Sequence, residues 1–392
     1  VLHLFYNALA ASAGSGLTYV RNVAPCLERR PDVRATFLLS AELASEMPAS
    51  DRIQFVTAPN VPGAARRFFW EQREIPRLVQ QHQADVLISV GNFAIRRSPI
   101  PQILLSGNSL YTSQDFRRDL RQRREYGLLL DNALKTFLAA RSLRWADVTV
   151  APSQAFAADL RRLAPGNITA VHHGFDRDVF FSDPAPLPAP AQQKLQAAAN
   201  SLRLLFVSHY NYYRNFETLF RALPLIRAKL PERNAKLILT TRLRSEDNPG
   251  SFRAEPAAAL IRQLGITDHV IELGAIPYRH LHQLYQACDL YVTAAYTETF
   301  AHPLVEAMAC GKPLVASDLP VHREIAQDAA AYFPTFSPED LADRVVIWAV
   351  RQEAANQSAT RALDRAKDFS WDQHVHEMVT IAADLVARAK KS

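Results

Sequence analysis

Cysteine, glycine and long apolar runs are all scarce in this chain of 392 residues. The three cysteines, Cys26, Cys288 and Cys310, show no CxxC spacing and are too few for a disulfide framework. They read as reduced thiols of a cytoplasmic protein. No apolar run approaches the ~20 residues that span a bilayer. The apolar opening, residues 1–13, lacks the basic stretch of a secretion signal and reads as a buried first strand. Internal repeats, zinc-type ligand spacing and low-complexity tails are also missing, which sets aside solenoids, zinc modules and disordered arms. Glycine occurs 12 times against 24 prolines, so each glycine position is informative.

What is present is a globular composition, 48% hydrophobic and 21% charged, long enough for two domains that each bury a core. Continuous apolar runs at 2–6, 34–39, 53–56, 86–90, 102–105, 148–152 and 168–172 predict strands covered on both faces, with helical stretches such as 17–30 and 128–145 between them. The segment SDPAPLPAPA at 182–191 holds four prolines and predicts a linker. A second alternation follows, with strands at 202–208, 236–241, 270–273, 290–294 and 313–317. The fold class is therefore α/β, two Rossmann-like doubly wound domains, whose ligands bind at the carboxyl ends of the strands in a cleft. The expected division is 1–181 with a C-terminal helix near 373–392, a linker at 182–200, and a second domain at 201–372.

The most informative stretch is TETFAHPLVEAMACGKP at 297–313. It leaves a strand, passes through Pro303 into a short helix and ends at Gly311, the residues favoured at those two ends. A helix N-terminus there offers N–H groups and a positive dipole end to a phosphate. Glu306, read as a first-turn residue, is either a dipole-complementing carboxylate or an acceptor for sugar hydroxyls.

With the run Glu306-Ala307-Met308-Ala309-Cys310-Gly311-Lys312-Pro313 and a second glutamate, Glu298, eight residues upstream, the stretch resembles the signature of family-4 retaining glycosyltransferases of the GT-B fold. The likeness continues through Leu264-Gly265, Leu273-Gly274, Leu284-Tyr285 and Ala287-Cys288-Asp289, and more loosely through Ala146-Asp147-Val148 and His173-Gly174-Phe175-Asp176. The resemblance implies that Glu306 holds the nucleotide ribose and Glu298 the donor sugar hydroxyls. It implies a diphosphate lined by the backbone of Phe300, Ala301, His302, Pro303 and Leu304, with Ala301 standing where the family has glycine. His302 reads equally as a phosphate or sugar contact and as a plain loop histidine.

The segment from Ser208 to Asn215 resembles the family's pair of diphosphate-binding cations. His209 stands at the first, and Arg214, able to clamp phosphate bidentately, at the second. Asn215, Thr241, Ile276 and His173 are further implied on the donor side, as are Gly14, Ser15 and Gly16 in the first loop. That GxG alone would equally suit a Rossmann oxidoreductase. Where many members carry His-Asp, this chain reads Ser106-Gly107-Asn108-Ser109, so no protein base is identified. Asn108 and Tyr111 are assigned to the acceptor.

The resemblance thus implies a hexosyl transfer from a nucleotide diphosphate sugar to an acceptor hydroxyl, with retention and without metal or cofactor. The acceptor is expected to be a glycan or lipid-linked glycan of cell-surface polysaccharide or glycolipid synthesis. A nucleotide-sugar epimerase and a catalytically silent nucleotide-sugar-binding protein are the alternatives. Residues 1–200 hold 23 Lys/Arg against 17 Asp/Glu, the whole of the +6 net charge. The excess is densest at 117–124 and in Arg66-Arg67-Phe68-Phe69-Trp70, which read either as an anionic membrane contact at the inner face of the cell membrane or as solvated helix faces. No nucleic-acid motif accompanies the charge.

Overall fold

The computed structural model describes residues 1–11, 14–48, 50–61 and 63–391, the side chains of Gly14 and Ser15 excepted. The chain forms two units. The first comprises Val1–Ser113, Arg124–Gly174 and Ser370–Ser392, and the second Gln114–Arg123 and Phe175–Phe369.

Among the described residues, the first unit holds one parallel sheet of β1 (Leu2–Asn7), β2 (Val33–Leu39), β3 (Ile53–Thr57), β4 (Val86–Val90), β5 (Gln102–Leu105), β6 (Val148–Ala151) and β7 (Ile168–Ala170), in the order β3-β2-β1-β4-β5-β6-β7. These runs are apolar at successive positions because helices cover both faces. On β1, Leu4 and Tyr6 face a core shared with Val20, Val23 and the final helix Trp371–Ala389, while Phe5 faces Ile75 and Val79. The strand order reverses between β1 and β4, the place where doubly wound sheets open a ligand crevice.

The second unit repeats the plan with β8 (Ser201–Phe206), β9 (Asn234–Leu239), β10 (Val270–Glu272), β11 (Leu290–Thr293), β12 (Leu314–Ser317) and β13 (Ala330–Phe333), ordered β10-β9-β8-β11-β12-β13 and all parallel. Its switch point lies between β8 and β11, so the loops after those strands, near 207–215 and 294–301, meet at the sheet's carboxyl edge.

Several expectations are corrected. The proline-rich stretch is no free linker: Leu187, Ala191, Leu195 and Ala198 are buried, residues Ala189–Gln196 are helical, and the segment belongs to the second unit. Prolines at 184–190 stop regular structure only until Pro190, which sits in the first helical turn where its missing N–H costs nothing. The basic run at 117–124 is mostly the helix Gln114–Gln122, which also joins the second unit. There Phe116 and Leu120 are buried, Arg123 pairs with Glu217 at 3.0 Å, and Asp119 accepts from Tyr296 Oη at 2.8 Å. The first helix spans Gly14–Glu28, so Gly14, Ser15 and Gly16 form its first turn and not a loop.

Candidate active site

The site in the second unit is built on the two loops at its switch point. After β8 the chain makes a 3-10 turn, Tyr212–Arg214, and Asn215 takes a left-handed conformation (φ 56°) to start the helix Phe216–Lys229. Asparagine tolerates that region because its short polar side chain bonds locally. Here Asn215 Nδ2 donates to the Ala294 carbonyl at 3.0 Å and its Oδ1 accepts from Thr218 Oγ1 at 2.9 Å. Asn215 therefore ties the β8 loop to the end of β11. It is a positioning residue, 5% exposed, and not the donor contact expected of it.

Arg214, immediately before it, pairs with Glu298 from the β11 loop. Both side chains are largely buried, at 21% and 11% exposure. Burial opposes the charge on Arg214, but the Glu298 carboxylate outweighs it and keeps the guanidinium charged. Its buried Nε has no hydrogen-bond partner among the described residues. Tyr291 of β11 lies within electrostatic reach of Arg214, Glu306 and Glu298 together, so three of the predicted charged residues converge.

His209 is exposed, and partial burial of its ring with the Arg214 cation lowers its pKa. It is a neutral hydrogen-bonding group at neutral pH, not a second cation. His302 behaves alike: burial, resisted by Glu298, takes its imidazole down to about 4. Its ring sits 4.9 Å from that of Phe300, which is itself buried against Phe369.

The signature helix runs His302–Ala309, with Ala301 as N-cap at φ 66°. Ala301, where the resemblance implies a glycine, thus holds a left-handed conformation that favours glycine. It costs about 1–2 kcal/mol, since Cβ crowds the following carbonyl. Ala301→Gly is accordingly expected to raise the unfolding midpoint by about 2–4 °C in a thermal melt. The amides of Leu304 and Val305 already bond the Ala301 carbonyl, so Leu304 does not offer its N–H to a phosphate as expected.

Glu306 is the fifth helical residue rather than a first-turn one, which removes the dipole account of its presence. It is 6% exposed, and burial raises its pKa to about 7 against a hydrogen bond from Tyr285. Tyr285 Oη lies 2.9 Å from Glu306 Oε2 and 3.1 Å from the Pro303 carbonyl, bracing the helix start. A buried carboxyl held by a single hydroxyl is a poor way to stabilise a fold and suits a group kept to accept hydrogen bonds. Thr241, by contrast, is committed to packing. It is 2% exposed and donates to Asn248 Oδ1 at 2.6 Å. Ile276 stands half-buried in the loop after β10.

A second candidate site lies wholly within the first unit, a cleft of about 310 Å³ at the carboxyl ends of β4 to β7. Gly16, Tyr19, Phe93, Tyr111, Lys135 and His173 are among its lining residues, with Arg67 on its wall. A Cβ on Gly16 would come within 3.1 Å of Ala11 Cα, so the first helix approaches the β1 loop closely. Asn92 (φ 73°) accepts from the Gly107 amide at 2.8 Å, joining the β4 and β5 loops. Asn108 does not line the cleft. It accepts from Leu110 N at 3.1 Å and caps the turn that presents Tyr111. Burial pushes the Tyr111 phenol up to about 12, so it remains a neutral donor. His173 stacks 5.5 Å from Trp371 of the final helix.

The Glycosyl transferases group 1 profile matches residues 190–364, and the Glycosyltransferase Family 4 profile matches residues 17–179. The chain belongs to this glycosyltransferase family. A D-inositol 3-phosphate glycosyltransferase 2 from Catenulispora acidiphila is 33% identical over 44% of this chain and 40% of that protein. A D-inositol 3-phosphate glycosyltransferase from Mycobacteroides abscessus is 31% identical over 55% of this chain and 46% of its own length. The chain spans about half the length of the curated relatives it matches. In fold it is similar to sucrose-phosphate synthase from Thermosynechococcus elongatus, with a TM-score of 0.76 at 16% identity over 99% of this chain and 100% of that one. Anabaena HepE in complex with UDP-glucose gives 0.69 at 17% identity, over 97% and 100%. These likenesses make the fold GT-B.

Some residues of this site carry no signal in the sequence. Tyr285 lies within a family-like segment, but only folding reveals that it braces Glu306. His322 on the helix Pro320–Ala326 is fully buried and within electrostatic reach of Glu298 and Arg214. Its Nδ1–H donates to the Ser317 carbonyl at 2.8 Å, leaving the buried Nε2 without a partner. An isolated histidine beside an arginine gives no sequence signal for such a place. Among the described residues no His/Cys/Asp/Glu group is arranged to hold a metal ion.

Proposed function

We propose that this chain is a retaining hexosyltransferase that uses a nucleotide diphosphate sugar and a glycan or lipid-linked acceptor. The observation that carries the reading is the convergence of Arg214, Glu298 and Glu306 at the carboxyl edge of the second unit's sheet. In this reading the departing diphosphate is neutralised by Arg214, with His209 and the amides near Ala301 as neutral donors. Glu298 accepts from the donor sugar's hydroxyls, and Glu306 from the ribose. The leaving phosphate helps deprotonate the acceptor hydroxyl on the same face, since Asn108 cannot act as a base. No metal enters the scheme. The acceptor is assigned to the first-unit cleft, where aromatic walls suit sugar rings and Arg67 and Lys135 supply positive charge.

Glu306 gives the reading a pH test. Its pKa of about 7 lies above the ordinary glutamate value of 4.5, so the folded, donor-free protein favours the protonated form. Protonated Glu306 therefore contributes stability that is fully present below about 4.5 and is lost as pH rises through 7. Ribose hydroxyls donate to the carboxylate, so binding draws Glu306 the other way. UDP affinity measured by calorimetry is expected to weaken about tenfold from pH 8 to pH 6 and to lose that dependence in Glu306→Gln. A pH-independent affinity, or a Glu306→Ala protein with normal transfer and donor affinity, removes the ribose assignment. Incubation with a panel of nucleotide sugars reads the reaction class. Released nucleotide diphosphate means transfer, interconverted sugar means epimerisation, and neither means a silent binder.

A further inference from the structure

The helix Tyr126–Trp145 in the first unit is apolar on two sides, a pattern that ordinarily means complete burial. One side is indeed buried, through Ala139, Ser142 and Leu143, and Asn132 Nδ2 bonds the Leu110 carbonyl at 3.1 Å. The other side is open. Tyr126, Leu130, Leu134 and Phe137 are 65%, 74%, 59% and 54% exposed, and their spacing of four, four and three residues aligns them in one stripe. Four large apolar side chains in a row on a solvent face are not the scattered exposure of an ordinary surface.

The charge around the stripe has a positive excess. The helix carries Asp131, paired with Lys135 at 2.7 Å, as its single acid against Lys135, Arg141 and Arg144, and Arg124 and Glu125 precede it. Arg141 lies over the Phe137 ring, 4.8 Å from its centroid, which places a cation at the end of the stripe. The first unit as a whole holds 20 Lys/Arg against 15 Asp/Glu. The same helix also contributes Lys135 to the lining of the first-unit cleft. The helix Ala64–Gln81, which gives Arg67 and Ala64 to that cleft, exposes Phe69 at 70%.

We infer that the stripe Tyr126–Leu130–Leu134–Phe137 lies in the interfacial layer of an anionic bilayer, with Arg124, Arg141 and Arg144 at its headgroups. The apolar side chains enter the boundary of the acyl region while the helix rests in its plane. This sets the cleft beside a membrane, where an acceptor carried on a lipid reaches Lys135 without leaving the bilayer. A second copy of the chain fits less well. Like-charged surfaces would meet, and four side chains fall short of the ~800 Å² per partner of a standard interface. The membrane contact thus falls on this helix and not on residues 117–123, which belong to the second unit.

The test is vesicle flotation of the full chain with phosphatidylcholine alone and with added phosphatidylglycerol, alongside light scattering without lipid. The wild-type protein is expected to float with the anionic vesicles and stay behind with the neutral ones. Leu130→Gln/Leu134→Gln should float at least about tenfold less, each leucine contributing through buried apolar area. Both positions are exposed, so the variant should keep its melting temperature and its affinity for UDP. Absence of flotation with both vesicles, equal flotation with both, or flotation unchanged in the variant would each overturn the inference. A wild-type dimer that the variant dissolves would also overturn it, in favour of a second copy as the occupant. None of these readouts depends on sugar transfer.

Discussion

Arg214→Ala is expected to lower the rate of nucleotide diphosphate release by about 10²–10⁴-fold, the scale on which loss of a principal charge-stabilising group acts. Two consequences combine. In the proposed reaction the departing diphosphate loses its cation in this loop, because burial and the Arg214 cation lower the pKa of His209 and burial lowers that of His302. Glu298 is also left buried without its partner, an arrangement that costs about 3–5 kcal/mol where a buried pair is broken. The two effects separate experimentally. Arg214→Ala/Glu298→Ala removes both charges and should recover most of the lost stability while remaining inactive. Arg214→Lys keeps the charge but not the planar fork and should fall between. The loss should appear chiefly in kcat, since the negative charge grows on the leaving group during reaction. Activity within threefold of wild type in Arg214→Ala would end the assignment of the leaving-group site.

Gly174→Ala is expected to cost roughly 3 kcal/mol or more, and to lower the unfolding midpoint by about 10 °C. A Cβ on Gly174 would lie 2.1 Å from Trp371 N, 2.5 Å from Ser370 C and 2.5 Å from Trp371 Cα. All three are backbone atoms at the start of the final helix, so no side-chain rotation relieves the contact. The backbone there is fixed in turn. Ser370 caps the helix, His173 stacks on Trp371, and His374 bonds both the His172 carbonyl at 2.8 Å and Tyr19 Oη at 3.1 Å. The helix can move away only by lifting Trp371, Val375 and Met378 from the first unit's core. A thermal melt shifted by less than about 2 °C would show that the helix start yields more easily than this packing allows.

The strands were legible because parallel, doubly covered strands leave unbroken apolar runs, as β4 (VLISV) and β12 (LVAS) do. The strand β13, with sequence AAYF, was not expected. It follows three residues of 3-10 turn in an alanine-rich stretch whose local preference is helical, and only pairing with β12 makes it a strand. Glu298, Arg214 and Glu306 could be found because their signature is local. Thr241 and Asn108 were placed at ligands by position alone, and folding shows their side chains turned to Asn248 and Leu110. The helix Gln114–Gln122 was misread for a related reason. Its charge run says nothing of Glu217 and Tyr296, which lie about a hundred or more residues away and hold it to the second unit.

That helix and the final one give the chain an unusual order of completion. The polypeptide passes between its two units at 113/114, 123/124, 174/175 and 369/370. During synthesis the first unit emerges early, yet Trp371, Val375, Met378, Val379, Ala382 and Leu385 of its core are made only after the whole segment Phe175–Phe369 of the second unit. A nascent chain halted anywhere before about residue 370 therefore exposes one open face of a nearly finished sheet, a surface that invites chaperones or aggregation. The unit that begins first is sealed only after the second has been made, and the helix Trp371–Ala389 is the stopper.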